Sequence, residues 1–146
     1  MSELNKIKVF TVEEAKRLIP RLAQLLQELQ SKREAIVAQE VEIDALELVT
    51  EKKEGTASPF FEKSVEKYNH TVARFYALID EIQSLGCFLK DIDTGLVDFY
   101  TLYQGRVVYL CWKLGESEIG FWHEVGRGYS YRQPIEHDHE ERESSG

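Results

Sequence analysis

Residues 107–124 read VVYLCWKLGESEIGFWHE, and the architecture of the second half of the chain turns on how they are read. Two short runs of β-branched and aromatic residues flank Gly115-Glu116-Ser117-Glu118, which is turn chemistry. The stretch predicts a β-hairpin. It carries both tryptophans, Cys111 and an adjacent His123-Glu124 pair.

The same period of two extends upstream as far as Gly86. Strands are predicted over 87–91, 96–103, 106–114 and 119–124, separated by Ile92-Asp93-Thr94-Gly95, Gln104-Gly105 and the turn above. Short connections favour an antiparallel meander. Residues 86–135 hold ten of the sixteen aromatics and both cysteines, so they form a dense sheet module. Tyr129 to Ile135 is expected to pack back on it.

Turn lengths sort the side chains by face, because directly opposed residues share one. A two-residue Gln104-Gly105 turn pairs Val97 with Trp112, Asp98 with Cys111, Phe99 with Leu110 and Tyr100 with Tyr109. A turn centred on Glu116-Ser117 pairs Tyr109 with Glu124, Leu110 with His123, Cys111 with Trp122 and Trp112 with Phe121. One face then collects Phe88, Val97, Phe99, Val108, Leu110, Trp112, Leu114, Ile119 and Phe121, with His123 at its edge; this is the expected core face. The other collects Cys87, Leu89, Asp98, Tyr100, Leu102, Val107, Tyr109, Cys111, Lys113, Trp122 and Glu124. Acids among aromatics imply that a partner subunit, the C-terminal segment or a ligand covers this second face. A one-residue bulge at either turn would exchange these assignments and bring His123 to the second face.

The first half has helical periods. Thr11-Val12-Glu13-Glu14 is a capping box. Ala15, Leu18, Leu22, Leu25, Leu29, Ile36, Ile43 and Leu46 then follow an a/d heptad pattern, as in a coiled coil, with Lys32 and Gln39 as polar intrusions. Pro20 predicts a kink or local break. Ser58-Pro59 starts a second helix, whose seam is Phe61, Val65, Tyr68, Val72, Phe75, Ile79 and Ile82, and Gly86 closes it. The charged loop between them implies an antiparallel hairpin that sets Gln39 near Tyr68 and Lys32 near Phe75.

With 146 residues, the chain suits one domain with a hydrophobic core. The expected layout is a single domain over 1–135, with the helical hairpin at 8–85, the sheet module at 86–135 and a disordered acidic tail at 136–146. Net charge is −8, half of it in the tail, and no basic stripe is present for a phosphate backbone. No membrane span or signal peptide is recognisable. Two cysteines do not make a disulfide framework, and Cys87 and Cys111 are expected roughly 9–10 Å apart, beyond disulfide reach. A reducing cytoplasm is the expected location.

The chemistry-bearing candidates gather on the second face. Asp98 and Glu124 would flank the central strand as paired carboxylates, walled by Tyr100, Tyr109 and Trp122, with Arg132 able to pair with either acid. Cys111 beside Asp98 is a poor nucleophile, because a neighbouring carboxylate raises its thiol pKa. His123, Glu124, Asp98 and Glu116 are the donor types of magnesium, manganese or zinc sites. Adjacent strand residues point to opposite faces, however, and no HExxH or CxxC spacing occurs, so no metal is assigned and His123 and Glu116 stay as candidates. His137-Asp138-His139 in the tail is read as compositional.

Several fragments carry a resemblance: Leu85-Gly86-Cys87, Leu89-Lys90-Asp91, Thr94-Gly95-Leu96-Val97-Asp98-Phe99, Tyr109-Leu110-Cys111-Trp112, Gly115-Glu116, Trp122-His123-Glu124 and Arg132-Gln133-Pro134-Ile135. Phe10-Thr11, Glu14-Ala15 and Leu18-Ile19-Pro20 add to it. Together they resemble a family of small prokaryotic proteins known as domain of unknown function number 2203, over about residues 8–135. The resemblance implies no activity.

The expected fold is α+β, a long antiparallel helical hairpin packed on a four-stranded antiparallel β-meander. The expected function is non-enzymatic binding or assembly, with Asp98, Tyr100, Tyr109, Cys111, Trp122, Glu124 and Arg132 as ligand or partner contacts and no cofactor. A homo-oligomer or protein partner is expected, a small-molecule ligand is the other option, and nucleic acid and membrane are not. The alternative is a small metal-dependent or acid–base hydrolase using Asp98, Glu124 and His123.

Overall fold

A computed structural model of the chain describes residues 8–52 and 58–136. The expected disordered tail, with its His137-Asp138-His139 motif, lies outside the described residues apart from Glu136. The fold is α+β: helices α1 (Val12–Arg17), α2 (Ile19–Lys52) and α3 (Pro59–Ser84) precede an antiparallel sheet of β1 (Phe88–Asp91), β2 (Leu96–Tyr103), β3 (Arg106–Lys113), β4 (Phe121–His123) and β5 (Gln133–Pro134). The strands lie in sequence order. Contacts divide the chain into two compact units: residues up to Leu26 together with those from Glu81 onward, and Gln27–Asp80.

In the first unit the Thr11 capping box forms in full, the Thr11 side chain accepting from the Glu14 N–H and Glu14 from the Thr11 N–H. The predicted break falls at Leu18. Pro20 has no N–H and its ring would collide with the carbonyl four residues back, so Leu18 N–H turns to the Ala15 carbonyl at 3.0 Å and a fresh helix begins. Ala15, Leu22, Leu25, Leu26 and Ile82 on the helical side are buried together with Val97, Phe99, Val108, Leu110 and Trp112 of the sheet. Phe10 joins the layers, its ring 5.1 Å from that of Phe99 and its N–H on the Tyr100 carbonyl. Burial of such side chains contributes about 1.5–3 kcal/mol each.

The second unit is the antiparallel pair made by the parts of α2 and α3 that fall within Gln27–Asp80. Arg74 grips Glu28 through two bonds of 2.9 Å, and the Tyr68 hydroxyl donates to Glu40 at 2.8 Å. Tyr68 therefore faces the residue next to Gln39, as the inward pairing predicts. Leu29 and Leu78 are fully buried, and Ser58 caps α3 by accepting the Phe61 N–H.

The β2–β3 register is the predicted one, with Val97 opposite Trp112, Asp98 opposite Cys111 and Tyr100 opposite Tyr109. Gln104 (φ 53°) and Gly105 (φ 81°) both take positive φ, as the tightest hairpin turn demands. The β3–β4 register is not the predicted one. Tyr109 lies opposite His123, Leu110 opposite Trp122 and Cys111 opposite Phe121, a shift of one residue that exchanges the faces of β4. The cause is Glu116. Its carboxylate accepts the Lys113 N–H at 2.9 Å, a backbone donor that a longer ladder would need, and its carbonyl accepts the Trp112 indole N–H at 2.9 Å, which fixes the loop.

Two further differences concern the sheet edges. Phe88 opposes Asp98 and Leu89 opposes Val97, with a bulge before Asp91. Phe88 therefore shares the second face, and Leu89 and Cys87 the core side, the reverse of the expectation. The segment after β4 adds a fifth strand, since Gln133 pairs with Trp122 and Pro134 with Phe121.

Candidate functional site

The outer face of the sheet, turned away from Phe99 and Trp112, collects Asp98 and Tyr100 from β2, Tyr109 and Cys111 from β3, and Phe121 and His123 from β4. Strand alternation aims all six the same way. Phe88 and Lys90 come from β1 and Arg132 from the approach to β5. Of the expected contact residues, Asp98, Tyr100, Tyr109, Cys111 and Arg132 meet here. Trp122 and Glu124 do not: the register shift puts Trp122 on the core side, 4.9 Å from the Tyr103 ring, and Glu124 pairs with Arg106. Asp98 and Glu124 thus lie on opposite sides of the sheet and form no carboxylate pair.

At the centre, His123 Nε2 is 3.0 Å from Asp98 Oδ2, and Nδ1 is 3.0 Å from the Glu124 carbonyl oxygen. Asp98 and His123 are each 1 % exposed. A carbonyl only accepts, so Nδ1 carries a hydrogen. Nε2 then faces a carboxylate oxygen, and the two repel unless a proton or a cation lies between them. Lys90 Nζ reaches the same Oδ2 at 3.3 Å and stands 4.2 Å above the Tyr109 ring. The other carboxylate oxygen, Oδ1, is buried and meets no donor among the described residues.

Aromatic rings wall the polar centre. Tyr100 and Tyr109 stack at 5.0 Å with their planes 5° apart, and Phe88 sets its ring edgewise to both, at 5.0 and 5.8 Å. On the other side the Arg132 guanidinium lies 3.9 Å from the Phe121 ring and 4.4 Å from that of Tyr129. Arg132 pairs with Glu116 through Nη1 and Nη2, rather than with Asp98 or Glu124. Its Nη1 is also 4.0 Å from Cys111 Sγ. The chain's own C-terminal segment therefore supplies part of the cover that the sequence requires.

Ionisation follows from this burial. Cys111 is pushed up to about 12 by desolvation and then by the Asp98 charge, with Arg132 pulling the other way. The thiol stays protonated at neutral pH and makes no unaided nucleophile. Tyr109 is pushed up to about 12, by desolvation first and then by its hydrogen bond with Tyr100, which removes it from proton transfer near neutrality. Asp98, Cys111 and His123 do present donor atoms within 4.8 Å of one another, a grouping able to hold a metal ion. Glu116, a metal candidate from the sequence, is occupied by Arg132 and the Lys113 N–H.

Sequence reasoning overlooks Lys90 and misplaces Phe88, Phe121 and His123. Lys90 sits two residues after Phe88, so correct β1 pairing would place both together. The bulge that hides this pairing leaves no trace in composition. No curated protein and no solved structure matches the chain. The family described as "Uncharacterized conserved protein (DUF2203)" matches residues 8–135, nearly its whole length, and this protein belongs to that family.

Proposed function

We propose that this protein is a non-enzymatic binding module of the reducing cytoplasm, and that its working surface is the outer sheet face around Asp98, Tyr100, Tyr109, Cys111, His123 and Arg132. One observation carries the reading: Asp98 Oδ1 is a buried carboxylate oxygen without a donor among the described residues. Leaving such an acceptor unmet costs about 1–3 kcal/mol, and a ligand that meets it recovers that cost. Two free, buried cysteines suit a reducing compartment. A phosphate backbone or an anionic lipid surface is no partner in this reading, because Lys90 and Arg132 already face Asp98 and Glu116.

The test is thermal unfolding of the wild type and Asp98→Ala against a panel of divalent metals, small amines and small organic acids. At least one class is expected to raise the midpoint of the wild type and leave that of the variant unmoved. A panel that moves neither protein refutes the reading.

Self-association is a second reading, favoured by a specific pair. Leu102 and Val107 oppose each other on the same face, 59 % and 46 % exposed, next to the Tyr100–Tyr109 stack. A homo-oligomer that buries this end loses mass in solution when Val107 is changed to Glu. A mass that is the same for both proteins removes the second copy as the partner.

A further inference from the structure

We infer that Asp98, Cys111 and His123 form a three-ligand site for a borderline transition-metal dication, zinc before others; this rests on the binding reading above and names its ligand. The donors come from three adjacent strands of one sheet, with Asp98 directly opposite Cys111 and His123 opposite Tyr109, two residues along β3. Their donor atoms lie within 4.8 Å of one another. Bonds of about 2.0–2.3 Å to a tetrahedral ion put donor atoms roughly 3.3–3.7 Å apart, so a separation of up to 4.8 Å closes by about 1 Å, a change of the size that side-chain torsions supply.

Three features of the cluster point to a cation. The histidine is already oriented as a ligand: its Nδ1–H is held by the Glu124 carbonyl at 3.0 Å, which directs the Nε2 lone pair at Asp98 and Cys111. Metal-binding histidines are fixed by this kind of outer partner. Nε2 and Asp98 Oδ2 are 3.0 Å apart, two electron-rich atoms that a shared dication reconciles. A proton would reconcile them too, but it would leave Oδ1 without a partner. A metal that takes the orphaned Oδ1 leaves Oδ2 to Lys90, whose Nζ is 3.3 Å from that oxygen.

The donor types choose the ion. A thiolate and an imidazole do not suit magnesium or calcium, which take oxygen ligands, whereas sulfur, nitrogen and oxygen together are a zinc set. Binding displaces the Cys111 proton to solvent, since a coordinating thiol is deprotonated. The thiolate and the Asp98 carboxylate then balance the two positive charges of the ion. The bordering cations are each held by an acid, Lys90 by Asp98 and Arg132 by Glu116. Three protein ligands leave a fourth position for water or an exogenous donor.

Full-length metal-free protein is titrated with Co²⁺ and then Zn²⁺. The expected result is one cobalt per chain, a thiolate-to-cobalt charge-transfer absorption in the near ultraviolet, and its loss on displacement by zinc. Cys111→Ser abolishes the absorption. Asp98→Asn and His123→Gln weaken zinc binding by more than about 100-fold, the upper range seen when only an outer partner is lost. Cys87→Ser and the double variant His137→Ala/His139→Ala keep both absorption and affinity. Near-ultraviolet circular dichroism from Trp112 and Trp122 identifies the variants that fold, and any one folded ligand variant suffices.

The inference is overturned if wild type shows no cobalt–thiolate absorption, if the absorption survives Cys111→Ser, or if the tail double variant abolishes binding. If metals fail while an organic ligand stabilises wild type and not Asp98→Ala, the metal falls and the binding reading stands. If nothing binds, both fall.

Discussion

Glu116 decides which residues reach the outer face, and its energetic weight follows from its contacts. Its carboxylate accepts the Lys113 N–H at 2.9 Å and pairs with Arg132, whose side chain is only 13 % exposed against 23 % for Glu116. A charge-assisted bond to a backbone N–H contributes about 1.5–3 kcal/mol. Arg132 also stacks on Phe121 and Tyr129, each contact contributing about 0.5–1 kcal/mol. Glu116→Ala is therefore expected to cost about 3 kcal/mol, since it strips the Lys113 N–H and strands Arg132. Arg132→Ala should cost about 2 kcal/mol, because it loses the pair and the stacking but leaves Lys113 satisfied. The double variant isolates the pair itself, with an expected coupling of about 1–2 kcal/mol. Urea denaturation of the four proteins at one pH gives these values, and a change in slope would flag loss of two-state behaviour. Additivity within about 0.5 kcal/mol would refute the idea that the Glu116–Arg132 pair ties the β3–β4 loop to the C-terminal segment.

Other substitutions probe local geometry. Gln104 has φ 53°, a conformation that costs an ordinary L-residue about 1–2 kcal/mol; Gln104→Asn should recover up to about 1 kcal/mol, and a lowered urea midpoint would contradict the turn assignment. Gly86 has φ +100°, and an added Cβ would lie 2.9 Å from Lys8 Cδ and 3.2 Å from Phe10 Cζ, so Gly86→Ala should lose about 1–3 kcal/mol, read as a lowered melting temperature. Cys87 is pushed up to about 11 from 9.0 by burial, so the folded state holds its proton where the unfolded state releases it. That contribution is complete below about pH 9 and is lost as pH rises toward 11. The slope is at most about 1.4 kcal/mol per pH unit. Cys87→Ala should flatten this part of the stability–pH curve, and an unchanged slope would count against a buried thiol.

Features governed by neighbours along the chain are legible in the sequence itself. The Thr11 capping box, the Pro20 break, the Ser58-Pro59 start and the Gln104-Gly105 turn each depend on a few adjacent residues, and each forms as read. The β2–β3 register follows from that turn alone, which is why Asp98, Tyr100, Tyr109 and Cys111 group correctly. The β3–β4 register depends instead on a side chain bonding a backbone N–H inside its own loop, which alternation does not encode. One residue of slip exchanges Trp122 and Glu124 for Phe121 and His123. The β1 bulge conceals Lys90 in the same way, and a fifth strand of two residues, one of them proline, offers no period to detect.

The two outermost strands bear on how copies of this chain can meet. An open sheet can be lengthened by a strand from another molecule wherever its border offers a free row of donors and acceptors. Here one border is four residues long, broken by a bulge and carries Lys90. The other ends on Pro134, which has no N–H to offer. Both borders resist lateral growth, so fibre-like stacking through the sheet is disfavoured at either end.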